Sequence, residues 1–138
     1  MRLMLKNVRL AFPAIFEPAA IGDGEPAYGA KLILDPDADY IAEIKKAVMS
    51  VAKEKWKDKA ADILAVLKDD KRICYVEAPY KNKDGQVYDG FEDSFSIGMR
   101  NAKQRPTAID KYGKEITDKS DIERILYFEA YVVIEPGL

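Results

Sequence analysis

The sequence predicts an α+β, mainly β fold: a small antiparallel barrel with one long amphipathic helix inserted after the second strand. Three observations lead there. Short stretches of alternating apolar and polar residues recur between turn signals. A single stretch, from Ile41 to Trp56, carries apolar residues at helical spacing. Strands and helices do not follow one another in the rhythm of a parallel βαβ sheet. At 138 residues and 48% hydrophobic content, the chain 1–138 is the size of one domain with enough apolar side chain for a core.

The elements follow in order. Leu3 and Leu5 alternate with charge, and Val8, Leu10 and Phe12 resume one step out of phase, which predicts a strand with an irregularity near Lys6 and Asn7. Pro13 and Pro18 bound a short piece, AIFE, and the turn chemistry of IGDGEP predicts a mobile loop from Ile21 to Pro26. AYGAKLIL is a second strand with Tyr28, Ala30, Leu32 and Leu34 on one face. Asp35 and Pro36 then supply an N-cap acceptor and a first-turn proline for the helix. Ile41, Ile44, Val48, Val51 and Trp56 form its apolar stripe, and a second short helix is expected from Ala60 to Leu67.

From Arg72 the pattern is β again. RICYVEAP is read as a short strand, KNKDGQ as a turn around Asp84 and Gly85, and SFSIGMR as a strand alternating Phe95, Ile97 and Met99 against Ser94, Ser96, Gly98 and Arg100. PTAID is a further extended piece, KYGK a turn, SDIERIL one or two helical turns from Ser120, and YFEAYVVI a final strand.

Charge gives the functional argument its shape. With 22 basic and 24 acidic residues the formal net charge is −2, so a polyanion would have to be attracted by a local patch against the mean. Such a patch exists. Between Ser94 and Lys114 stand Arg100, Lys103, Arg105, Lys111 and Lys114 against Asp110 alone, interleaved with Asn101 and Tyr112. Phosphates take fixed positive charge and unpaired bases stack on aromatic faces, so this stretch is a candidate site for single-stranded nucleic acid. A solvated charged face is the alternative for the same pattern. Phe95 falls on the apolar side of its strand and reads as core.

Phe12 and Phe16 flank Pro13 at the end of a strand, where they would either stack bases or plug a barrel end. Lys31 lies on the opposite side of its strand from Leu32 and would face a groove or water. Asp89, Glu92 and Asp93 are close enough in sequence to suggest a Mg²⁺ nuclease site, with a solvated turn as the simpler reading. No histidine occurs, which removes the commonest general base and metal ligand, and no cofactor is expected. Cys74, the single cysteine, reads as a structural thiol in an apolar strand and allows no intramolecular disulfide. The N-terminal stretch has the pattern of neither a signal peptide nor a membrane anchor, so a soluble intracellular protein is expected.

Taken in order, KNVRLAFPAIFEP, a Gly/Glu loop, YGAKLILD, a charged helix ending near a Trp, YDGFEDSFSIGMRNAKQRP and DKYG resemble the bacteriophage single-stranded DNA-binding proteins of the OB-fold family formerly described as a domain of unknown function. The resemblance covers nearly the whole chain and rests on order and spacing. It implies an OB fold, sequence-tolerant binding of single-stranded DNA during phage replication or recombination in the cytoplasm of the bacterial host, and neither catalytic activity nor metal. The residues it carries over are Phe12, Phe16, Lys31, Arg100, Asn101, Lys103 and Arg105, to which the charge pattern adds Tyr112. Relatives of this kind usually continue into another strand and an acidic tail that recruits replication or recombination proteins. This sequence stops at Leu138, which leaves a barrel edge free for a homodimer or, in the alternative reading, for a structural or assembly role through strand pairing.

Overall fold

The structure is a computed structural model that describes residues 1–20, 24–70 and 72–135. Five antiparallel strands form one sheet in the order β3-β4-β2-β1-β5, where β1 is Arg2–Ala19, β2 Ala27–Leu34, β3 Tyr75–Val76, β4 Phe95–Asn101 and β5 Phe128–Val133. Three helices join them: α1 Tyr40–Trp56, α2 Ala60–Asp69 after a 3-10 turn, and α3 Lys119–Glu123.

The long first strand organises the sheet. Its N-terminal half pairs with β5 and its C-terminal half with β2, so one strand serves both sides of the curved layer. The break falls where the alternation slips: Asn7 has φ 57° and the register with β5 shifts between Leu5 and Val8. A second irregularity, with Phe12 at φ 50°, shifts the register with β2 between Ala11 and Ala14. Bulges of this kind bend and twist a strand, which lets β1 wrap the core. The expected barrel is therefore of the partly open OB type, and no ladder joins β3 to β5 among the described residues.

One face of the sheet meets α1. Leu32, Leu34 and Ile97 from the centre of the sheet, Leu5, Val8 and Val132 from its β5 side, and Tyr40, Ile41 and Ile44 from the helix make the main core. Phe95 packs against this cluster, as its alternation requires. Farther along α1, Ala47 and Val51 bury Ile134 just beyond β5. Burying these branched side chains contributes about 1.5–3 kcal/mol each, which fixes the helix across the inner face.

Several expectations are corrected in detail. The helix starts at Tyr40 rather than after Asp35, because the Asp35 carboxylate accepts from Asp37 N (2.9 Å) and makes a separate turn before the helix. The Tyr40 hydroxyl closes that turn, accepting from Asp35 N at 2.7 Å. The strand expected over 72–79 shrinks to Tyr75–Val76, the two residues with ladder partners on β4, Ile97 and Ser96, while the Cys74 carbonyl ahead of them accepts from Gly98 N at 2.9 Å. Cys74 stands exposed just ahead of it rather than inside a strand. PTAID reduces to a single bridge, Ile109 to Glu115, and α3 is capped by Asp118, whose carboxylate accepts from the Ser120 amide and hydroxyl at 2.9 Å. Part of the expected mobile loop, Ile21–Asp23, lies outside the described residues.

Candidate nucleic-acid interface

The face of the sheet opposite α1 is set by register. Arg9 lies across from Ile33, Ala11 from Lys31, and Ala14 from Gly29 on the β1 side of β2. Ser96, Gly98 and Arg100 lie across from Ile33, Lys31 and Gly29 on the β4 side. Cross-strand partners share a face, so Arg9, Lys31 and Arg100 stand together on this outer surface. Each step from Arg9 to Lys31 to Arg100 moves one strand over and two residues along. The three cations thus form a diagonal across β1, β2 and β4, with steps of roughly 8 Å from strand spacing and rise.

Small neighbours keep Lys31 open at its sides. Ala11 and Gly98 flank it, and a Cβ at Gly98 would stand 3.5 Å from Lys31 Nζ. Its ammonium lies over the Tyr80 ring, 4.1 Å from the centroid. Burial pulls the Lys31 pKa below its ordinary value, opposed by nearby Cys74. Although Cys74 as a residue is exposed, desolvation around its sulfur pushes the thiol pKa up against the opposing pull of backbone hydrogen bonds and Lys31.

Tyr80 belongs to an aromatic cluster that the 77–94 segment lays over the outer face. The segment folds as a hairpin: Tyr88 N donates to Tyr80 O at 3.0 Å, Asn82 N donates to Gln86 O at 2.8 Å, and the turn holds Gly85 at φ 81°. Tyr80 and Tyr88 therefore stand side by side, with rings stacked at 5.1 Å and 19°. Phe12 closes on them from β1, with centroids 5.2 Å from Tyr88, 6.2 Å from Tyr80 and 6.0 Å from Phe91. Its left-handed backbone turns it onto this side next to Ala11, and the ring remains 53% exposed. Phe91, at 1% exposed, is the buried base on which the other rings rest. Arg9 lies against the same hairpin: a Cβ at Gly90 would come 3.4 Å from its guanidinium.

The expected site residues separate. Phe12 and Lys31 meet through Tyr80, and Arg100 stands on the same face, where its guanidinium donates to Glu25 O at 2.7 Å. Phe16, half-buried, follows Ala14 on this side of β1 by alternation. Asn101 turns away from it: its side-chain oxygen accepts from Lys103 N and Gln104 N, both at 2.9 Å, and so shapes the turn that presents Lys103. Arg105 is paired with Glu115 at 3.2 Å. Tyr112, 81% exposed, sits at the tip of a hairpin built by Asp110, whose carboxylate accepts from Tyr112 N and Lys114 N. Lys111 lies 5.2 Å from its ring.

Sequence reading missed Arg9, Tyr80, Tyr88 and Phe91. The tyrosines did carry a signal, since they stand symmetrically about the Asp84-Gly85 turn and must be neighbours if that turn closes. The carboxylates at 89–93 behave as a turn: Glu92 Oε2 accepts from Gly90 N at 2.9 Å, and no three potential metal ligands converge among the described residues.

A partly open OB-type barrel whose outer face joins cations to exposed aromatic rings defines the class of small single-strand-binding modules. The chain belongs to the family described as Enterobacter phage Enc34, ssDNA-binding protein, whose model matches residues 1–135. This is a family of binding proteins and not of enzymes. Protein p50 of Acyrthosiphon pisum secondary endosymbiont phage 1 is 32% identical over 121 residues, 85% of this chain and 62% of that protein. This chain therefore spans less than two thirds of that relative's length. The fold matches the single-stranded DNA-binding protein of bacteriophage Enc34 in complex with ssDNA, with a TM-score of 0.63 at 18% identity, covering 94% of this chain and 70% of the other. A C-terminal truncation of the Enc34 protein matches with a TM-score of 0.56 at 19% identity, covering 94% and 71%.

Proposed function

We propose that this chain binds single-stranded DNA on the outer face of its sheet, without catalysis and with little regard to sequence. The observation that carries the reading is the diagonal Arg9, Lys31, Arg100 running beside the exposed ring of Phe12 and the half-buried rings of Tyr80 and Tyr88. An extended strand laid along the diagonal offers phosphates to the cations and bases to the rings. Every base has a π face, so stacking of this kind tolerates any sequence. A duplex hides its bases and gains nothing from the rings.

Lys103 and the Tyr112 hairpin extend the interface past the end of β4, with Phe16 adding apolar surface along β1. Arg105 takes part only if phosphate displaces Glu115. Asn101 acts by shaping the turn that carries Lys103. Membership of a phage ssDNA-binding family supports a role in phage DNA replication or recombination, carried out in the cytoplasm of the bacterial host. No described helix is long and apolar enough to cross a membrane.

Fluorescence anisotropy of labelled oligo(dT) at low and moderate salt, with the matching duplex as control, tests the proposal. Salt-sensitive binding to the single strand and much weaker binding to the duplex is expected; indifference to both by a folded protein would overturn it. A strand-pairing role in assembly has one observation in its favour, the edge position of β5 in the sheet of the described residues, and predicts that indifference.

A further inference from the structure

The diagonal of cations leads into a cleft at one end of the outer face. From Arg100 to Lys31 to Arg9 each step moves toward the Leu34 end of β2. Beyond Arg9 the surface opens into a depression of about 480 Å³ lined by Asn7, Arg9, Ile33, Asp35, Asp93 and Tyr127. Register explains the grouping. Arg9 lies across from Ile33 on one side; on the other, Val8 pairs with Phe128, so the next row brings Tyr127 beside Arg9. The volume falls within the range of about 300–1,000 Å³ typical of small-molecule sites and has room for a nucleobase.

Phosphate alone does not call for such a lining. One guanidinium, Arg9, stands with two carboxylates, and that of Asp35 is already engaged by Asp37 N at 2.9 Å. The Asp93 carboxylate and the Asn7 side-chain amide have no hydrogen-bond partner among the described residues. Asp93 holds a left-handed φ of 54° in the turn that Ser94 N closes on Phe91 O at 3.2 Å. After glycine, aspartate and asparagine tolerate that backbone best. Tyr127 adds a ring that is 57% exposed.

We infer that this cleft takes one base of the bound strand and prefers guanine, read by the Asp93 carboxylate, a role that rests on the outer face being the single-strand site. An unpaired guanine presents two adjacent donors on its Watson–Crick edge, N1–H and the 2-amino group, which one carboxylate can accept together. Its O6 is an acceptor for the Arg9 guanidinium or the Asn7 amide, and its flat face stacks on Tyr127. Thymine offers a single N3–H between two carbonyl oxygens, which a carboxylate repels. Adenine and cytosine each set one amino group beside a ring nitrogen that accepts. The diagonal and the Phe12, Tyr80 and Tyr88 rings still hold any sequence, so the cleft adds a preference at one position to an otherwise tolerant site.

Anisotropy competition with short oligo(dT) strands carrying a single dG, moved from one end to the other, tests the inference. The wild type should bind best with dG at one position, about fivefold or more tighter than oligo(dT). At that position dA, which stacks as well but lacks the paired donors, and inosine, which lacks the 2-amino group, should each bind more weakly than dG. In Asp93→Asn, whose side chain suits the same backbone, the advantage of dG over dA should be lost while circular dichroism stays that of the wild type. Equal wild-type affinity for the dG, dA and dT strands would overturn the cleft and leave the outer-face reading standing, and so would a folded Asp93→Asn that keeps the full advantage. Failure to bind any of the strands would overturn the outer-face reading itself, and the cleft with it.

Discussion

Replacing Lys31 with Met removes one charge and keeps most of the aliphatic stem that packs between Ala11 and Gly98. If a DNA phosphate meets the Lys31 ammonium, the substitution deletes a charge-assisted hydrogen bond of about 1.5–3 kcal/mol, a roughly ten- to hundredfold loss of affinity. The salt dependence gives a sharper reading. Each phosphate neutralised on a single strand contributes about 0.7 to the slope of log affinity against log salt, so the slope should flatten by about that amount. Folding should change little, because the contact with Tyr80, worth about 0.5–2 kcal/mol, is offset by relief from burying the charge.

The same residue predicts a pH dependence. Its folded-state pKa lies below the ordinary 10.5, so in the window beneath 10.5 the unfolded chain holds more protons and stability rises with pH. Bound phosphate favours the protonated amine, so affinity should fall as pH rises through that window, and the fall should be absent in Lys31→Met. The assay is anisotropy of labelled oligo(dT) over a salt series at several pH values, with circular dichroism as the folding control. An unchanged slope and affinity in a folded Lys31→Met would refute the placement of the strand across β2.

Other outcomes follow from neighbouring features. Tyr80→Ala should weaken binding by about 1–3 kcal/mol while leaving the salt slope nearly intact, the signature of a lost stack rather than a lost phosphate contact, read in the same anisotropy series. Gly29→Ala should destabilise the fold by about 1–3 kcal/mol in urea unfolding, because its Cβ would stand 2.6 Å from the Met99 carbonyl oxygen across the β2–β4 ladder. Tyr75 has a buried hydroxyl with no hydrogen-bond partner, and burial, followed by Glu77 and Tyr40, pushes its pKa up to about 12. Tyr75→Phe should therefore raise stability, by about 1 kcal/mol on the same urea measurement.

Local pattern determined much of this protein. The slip in alternation at Lys6 and Asn7 announced the bend of β1, the apolar stripe from Ile41 to Val51 announced α1, and the alternation of β4 put Phe95 in the core and Arg100 outside. Each is a matter of neighbouring residues, because side-chain period and backbone geometry repeat over a few positions. The order of motifs along the chain likewise sufficed for the family.

Tertiary structure alone decided the site. Arg9, Lys31 and Arg100 are scattered through the sequence, and only the register of β1, β2 and β4 sets them on one diagonal. Phe12 joins Tyr80 and Tyr88 because a left-handed residue turns its ring out of the expected alternation and a distant hairpin folds back over it. The basic run that drew attention in the sequence is partly spent on structure, Asn101 on a turn and Arg105 on Glu115. A one-dimensional pattern reports which face of its own element a residue takes. Which faces of separate strands share a surface depends on long-range pairing, and that is set by packing of the whole core.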